Sequence, residues 1–165
     1  MAPARPLTAL VGSALFTLFV AASAALFVPL VLVRERVLAP WWPAGVLLVL
    51  LAAALYVWCA GLFSLIGRGT PAPVAAPSVF VARGPYRFVR NPMYIAVLCA
   101  AAGVAIAYGS LAVLAYAAVL AVGFHSFVLG YEEPTLARRF GSTYADYRRR
   151  VPRWLPRIAP RSHAG

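Results

Sequence analysis

A chain of 165 residues would make one domain if it were soluble, but 63% of it is hydrophobic and only 12% charged, against roughly 45–50% and 25% in ordinary globular domains. That much apolar surface cannot all be buried in so small a core, so lipid must solvate part of it, which excludes a soluble α/β enzyme, a disulfide scaffold and a disordered tail. The formal charge of +11 comes from 15 arginines and no lysine, opposed only by Glu35, Glu132, Glu133 and Asp146.

The first apolar run, Leu7 to Val33, is 27 residues without a charge. As a helix it reaches roughly 40 Å, enough to span a bilayer with tilt or with a kink at Pro29. Arg5 ahead of it and Ala22-Ser23-Ala24 within it resemble a signal peptide. The run continues apolar beyond that point, which favours an uncleaved helix. Further runs cover Ala44 to Ile66, Met93 to Tyr108 and Leu111 to Tyr131. Only Gly109-Ser110 separates the last two, so they form a tight antiparallel hairpin. Cys59 and Cys99 lie inside apolar runs and read as small buried hydrophobes, not as a disulfide or a metal set.

With four spans, one side carries thirteen arginines and the other only Arg34 and Arg36. The positive-inside rule puts the thirteen in the cytoplasm and Trp41-Trp42 at the opposite interface. The loop 67–82, with Pro71, Pro73 and Pro77, is irregular. Leu136, Phe140, Tyr144, Tyr147 and Val151 fall on one face of an amphipathic tail helix, expected to lie on the inner membrane surface. The fold class is therefore an all-α integral membrane protein of about four transmembrane helices with a C-terminal interfacial helix. It resides in a bacterial-type inner membrane.

Polar residues gather at the cytoplasmic ends of the spans. In Arg83-Gly84-Pro85-Tyr86-Arg87-Phe88-Val89-Arg90-Asn91-Pro92-Met93-Tyr94, Asn91 is a good N-cap and Pro92 suits the first helical position. The positive end of that helix, with Arg87 and Arg90 nearby, suits a carboxylate or phosphate. Tyr131-Glu132-Glu133-Pro134 reads as a carboxylate pair at a helix C-terminus, opposing the dipole. A cationic ligand would relieve that opposition, and so would an arginine of the loop or tail. His125 lies seven residues before Glu132 and shares its face on an α-helix. Gly67 and Gly69 let backbone approach a ligand closely. A ligand with an anionic end, a cationic centre and a flat ring fits this set, and S-adenosylmethionine has all three. Tyr86, Tyr94, Phe88 and Tyr131 are available to its ring and sulfonium.

These motifs, with Phe140-Gly141, Tyr144, Tyr147 and Val151-Pro152, resemble the integral-membrane methyltransferase superfamily. That group includes the isoprenylcysteine carboxyl methyltransferases and phospholipid N-methyltransferases. The likeness covers roughly Gly67 to Pro156 and implies a methyltransferase core over 67–165, with its hairpin at 92–131, while the apolar runs place two N-terminal spans over 1–66. It implies S-adenosylmethionine held by Arg90, Asn91, Pro92, Tyr94, Glu132 and Glu133, with Gly67, Gly69 and Tyr86 beside them. It also implies a lipid-like acceptor reaching a cytoplasm-facing site from the bilayer, without a metal. A carboxylate acceptor calls for Arg87 or Arg90, and an amine acceptor calls for a base, a Glu or His125. Asn91 stands where the isoprenylcysteine enzymes have histidine, whereas Val151-Pro152-Arg153-Trp154-Leu155-Pro156 is closer to theirs. The expectation held most firmly is that Glu132 and Glu133 serve the donor rather than the fold. A small cation transporter is disfavoured because no acid lies within a span. A non-catalytic membrane interaction protein of the same fold stays open. A nucleic-acid binder lacks any accompanying motif.

Overall fold

The computed structural model describes residues 11, 15, 17–34, 37–66 and 80–156. Among them every regular element is helical. The N-terminal apolar run is described from its middle onward. Thr17–Ala21 and Ser23–Phe27 are π-helical and lead into α1, Val28–Leu32. A widened turn thus precedes Pro29, where the sequence suggests a kink. Proline has no N–H to donate and its ring crowds the carbonyl four residues back, so a π turn ahead of it relieves both.

Helix α2, Trp42–Leu65, begins with Pro43 in its first turn. It makes the most extensive helix–helix contact of the fold, against α3, Pro92–Tyr108. Glycines make this possible. A Cβ on Gly45 would fall 2.5 Å from the Gly103 carbonyl oxygen, and one on Gly103 would fall 2.7 Å from that of Gly45. The two backbones therefore touch directly, as small residues allow in membrane helix pairs. The Ala39 N–H donates to the Ala107 carbonyl at 2.9 Å. This pins the exposed Trp41-Trp42 turn to the end of α3 opposite Pro92.

The hairpin is as the sequence indicates. Gly109, at φ 60°, ends α3 in the left-handed region that glycine tolerates. The Ser110 hydroxyl accepts the Val113 N–H at 3.3 Å and caps α4, Leu111–Phe127. Among the described residues, two helices are long and apolar enough to cross a membrane, Trp42–Leu65 and Leu111–Arg150, while Phe19–Leu32 and Pro92–Tyr108 are shorter.

Beyond Phe127 the structure departs from expectation. Helix α4 does not end before the glutamates. It passes through a π turn, Val128–Glu132, straight into α5, Glu133–Arg150. Pro134 sits in the first turn of α5, again just after a widened turn. Glu132 and Glu133 therefore lie within a continuous helix rather than at its C-terminus, and no terminal dipole opposes them. Gly141, at φ 51° and ψ −126°, breaks α5 into two arms, where an uninterrupted helix was expected. The predicted apolar face still forms one cluster. Tyr144, Tyr147 and Val151 are buried beside Leu136 and Phe140, with Phe80 and Ala82 packed against them. Phe80 stacks within 4.9 Å of the Tyr147 ring and 5.9 Å of the Tyr144 ring. Part of the face expected to meet the membrane is thus covered by the chain itself.

Candidate functional site

The site forms where the approach to α3 meets the π turn of α4–α5. Gly84, at φ 55°, opens a 3-10 turn, Gly84–Arg87, that buries Pro85 and Tyr86. A Cβ at Gly84 would also meet Leu62 Cδ1 at 2.9 Å, so this turn is pressed against α2. Asn91 occupies the N-cap position of α3, but its side chain makes no cap bond. Its Nδ2 donates instead to the Arg153 carbonyl at 3.2 Å.

The two glutamates part company here. Glu133 is buried and takes Arg90 Nη1 at 2.8 Å, Arg153 Nε at 2.7 Å and Arg153 Nη2 at 3.0 Å. Glu133 thus pairs with an arginine of the loop and one of the tail, the alternative to a cationic ligand that the sequence allowed, though not with the nearer tail arginines. Arg138 reaches Thr135, and Arg139 lies over the Phe140 ring. Burial alone would raise the Glu133 carboxyl, but the Arg153 hydrogen bond and the charges of Arg90, Arg153 and Arg148 outweigh it and hold it below its ordinary range. Glu132 accepts the Tyr94 hydroxyl at 2.7 Å. Burial pushes its carboxyl up, the Tyr94 bond pulls it back and the Glu133 charge pushes it up again, leaving it above the ordinary range.

A cavity of about 520 Å³ opens beside Glu132. Arg90, Asn91 and Glu132 supply its polar end. Tyr56, Phe63, Tyr86, Tyr94 and Phe124 form aromatic walls, and Ala21, Ala24, Val97 and Leu120 line it deeper in the bundle. Tyr94 and Phe124 stack at 4.7 Å. Glu132 is the single anionic side chain among the lining residues, and Arg90 the single cationic one.

His125 is not in this cavity. It lines a second one of about 900 Å³ on the other side of α3, with Pro92, Phe88, Val122, Trp154 and Leu155. Its Nδ1 accepts the Trp154 indole N–H at 3.0 Å. The shared face with Glu132 is lost in the π turn. At about 100° per residue, seven α-helical residues put Glu132 within roughly 20° of His125. A π turn holds one residue more, so everything after it lags by about 100°. Glu132 is thereby rotated away from His125 and into the first cavity.

Of the remaining candidates, Tyr86, Arg90, Asn91 and Tyr94 meet at the first cavity. Pro92 faces the second, as does Phe88. Arg87 is exposed, and Tyr131, also exposed, packs on Phe127 at 5.2 Å. Gly67 and Gly69 lie outside the described residues. Sequence reasoning missed Tyr147, Pro152, Arg153 and Trp154 as parts of the site. Their contacts span 20 to 62 residues, beyond any local pattern. The available signal was one buried carboxylate needing a cation while an arginine stood between Pro152 and Pro156. Among the described residues, no three His, Cys, Asp or Glu gather as metal ligands would.

Among the described residues, an all-helical bundle with two helices of membrane-spanning length encloses a cavity with a polar end and an apolar end. The chain belongs to the phospholipid methyltransferase family, whose sequence model matches residues 43–143, more than half of its length. Membership implies methyl transfer as its chemistry. No curated protein and no solved structure matches the chain.

Proposed function

We propose that the protein is an S-adenosylmethionine-dependent methyltransferase acting on the amine headgroup of a membrane phospholipid. In this reading α2, α3, α4 and the N-terminal run span an inner membrane, and the thirteen-to-two arginine split sets the Glu132 end in the cytoplasm. The observation that carries it is the pairing of one carboxylate and one arginine at the polar end of an otherwise apolar, aromatic cavity.

The donor fits this set of residues. Arg90 Nε is buried without a hydrogen-bond partner, an N–H suited to an anionic oxygen. Glu132 suits hydroxyl, amino or sulfonium groups, and Tyr86 and Tyr94 offer ring faces. When bound, S-adenosylmethionine supplies a methyl group activated by its sulfonium. The chain's own residues align, desolvate and exclude water. The apolar walls favour the neutral form of an acceptor amine, which is its nucleophilic form. An amine is preferred to a carboxylate acceptor because Glu132 would repel the latter, and the one arginine lining the cavity is assigned to the donor. His125 lies across α3 from this cavity, so it is not placed to take the amine proton there.

The test is incubation of the purified protein in bilayer discs with methyl-labelled donor, offering an aminophospholipid or a prenylcysteine. Mass spectrometry of the extract should find label on the amine lipid only. Label on the carboxylate would reverse the acceptor assignment. Absence of both label and donor binding would end the reading.

A further inference from the structure

The family match ends at residue 143, yet the site is held from beyond it. The Tyr147 hydroxyl donates to the Tyr86 carbonyl at 2.7 Å. The Arg90 N–H donates to the Pro152 carbonyl at 2.9 Å. The Arg153 carbonyl takes Asn91 Nδ2, while the Arg153 guanidinium grips both oxygens of Glu133. The stretch from Tyr86 to Asn91 is thus fixed at two backbone points and one side chain by the end of α5 and the segment after it.

Arg153 is central to this. Its Nε and the Arg90 Nη1 converge on the same oxygen, Glu133 Oε1, at 2.7 and 2.8 Å. A carboxylate held by both oxygens cannot turn, so the position of Oε1 is set by Arg153 and in turn sets the Arg90 side chain. With Nη1 committed there, Arg90 Nε is left buried and unbonded in a residue that lines the cavity.

We propose that Arg153 is a positioning residue of the donor site. Acting through Glu133, it holds Arg90, the one cationic residue lining the cavity, in place for an anionic group of the ligand. This rests on the donor assignment above. Lysine at 153 would keep the positive charge beside Glu133 but cannot hold both oxygens. Charge and geometry are therefore separable.

The experiment compares wild type, Arg153→Lys, Arg90→Lys and the double variant in detergent. It measures S-adenosylmethionine binding by calorimetry, kcat and KM, and amide hydrogen exchange without ligand. Arg153→Lys should weaken donor binding at least tenfold and raise the donor KM in step, with kcat at saturation within about threefold of wild type. The double variant should bind no worse than the weaker single one, because both act through one contact. Donor affinity unchanged in Arg153→Lys, or penalties that multiply in the double variant, would overturn the proposal. Exchange decides the matter even if the wild type binds no donor, an outcome that counts against the proposed function instead. Arg153→Lys, and Arg153→Ala if it folds, should speed exchange at Arg90 but leave the α2–α3 interior unchanged. Unaltered exchange at Arg90 would show that Arg153 does not position it.

Discussion

Adjacent glutamates with opposite duties give the sharpest prediction. Glu133→Gln keeps the shape but removes the charge that two guanidinium groups share. The Glu133 side chain is 7% exposed, that of Arg90 10% and that of Arg153 28%. Breaking a buried ion pair costs about 3–5 kcal/mol because a charge is left unpaired. Arg153 recovers some hydration, so the lower end applies, about 3 kcal/mol, or a melting temperature lower by roughly 6–12 °C. Glu132→Gln retains an oxygen for the Tyr94 hydroxyl and should cost the fold about 1 kcal/mol at most. It removes the cavity's one negative charge, so donor affinity should fall roughly ten- to hundredfold. Melting curves and donor titrations at fixed detergent and salt measure both. Wild-type melting of Glu133→Gln, or wild-type affinity in Glu132→Gln, would refute the division of labour.

Lowering the pH should separate the same two functions. Donor affinity should fall first, as Glu132 protonates above its ordinary value of 4.5. Folding should fail only later, since the Glu133 contribution is complete above 4.5 and is lost as pH drops through its depressed value. Simultaneous loss of affinity and fold would contradict this ordering. His125→Ala should leave donor affinity unchanged, because His125 belongs to the second cavity; a tenfold loss in a titration would refute that separation. Gly103→Val should destabilise by at least about 2 kcal/mol, because its side chain would meet the Gly45 backbone; denaturant or thermal melting without a shift would refute the packing account. An engineered cysteine near Trp41 should label from outside the cell and one near Arg150 should not, and the reverse pattern would invert the topology.

The features legible in the sequence were local. Gly109-Ser110 between two apolar runs specified a hairpin, since only glycine accepts φ 60° cheaply and serine caps the second helix. Asn91-Pro92 marked the start of α3, and the spacing of Leu136, Phe140, Tyr144, Tyr147 and Val151 marked one buried face. The readings that failed depend on helical phase or on distant partners. The Glu132–His125 relation assumed 3.6 residues per turn, and the glutamates read as lying at a helix C-terminus although a widened turn let the helix continue through Pro134. Asn91 was assigned to its own helix end, where a carbonyl 62 residues away took its amide. Nothing near Glu133 in the sequence announces that Arg90 and Arg153 will converge on it.

The π turn at Val128–Glu132 works as an offset in a drive shaft. Upstream of it, one face of α4, with Ala121, Val122 and His125, addresses the lateral chamber, while Leu120, Phe124 and Phe127 address the chamber with the polar end. Glu132, at the end of the turn, joins that second set. Substituting Val122 changes the lining of one chamber and substituting Glu132 that of the other. Deleting one residue between Val128 and Gly130 would be a different kind of edit. Every side chain that matters would survive, yet the shaft would turn by about 100° and carry the carboxylate to the wrong chamber. Which side chains each chamber receives is thus set by helical phase as well as by composition, so for this segment chain length is a constraint alongside residue identity.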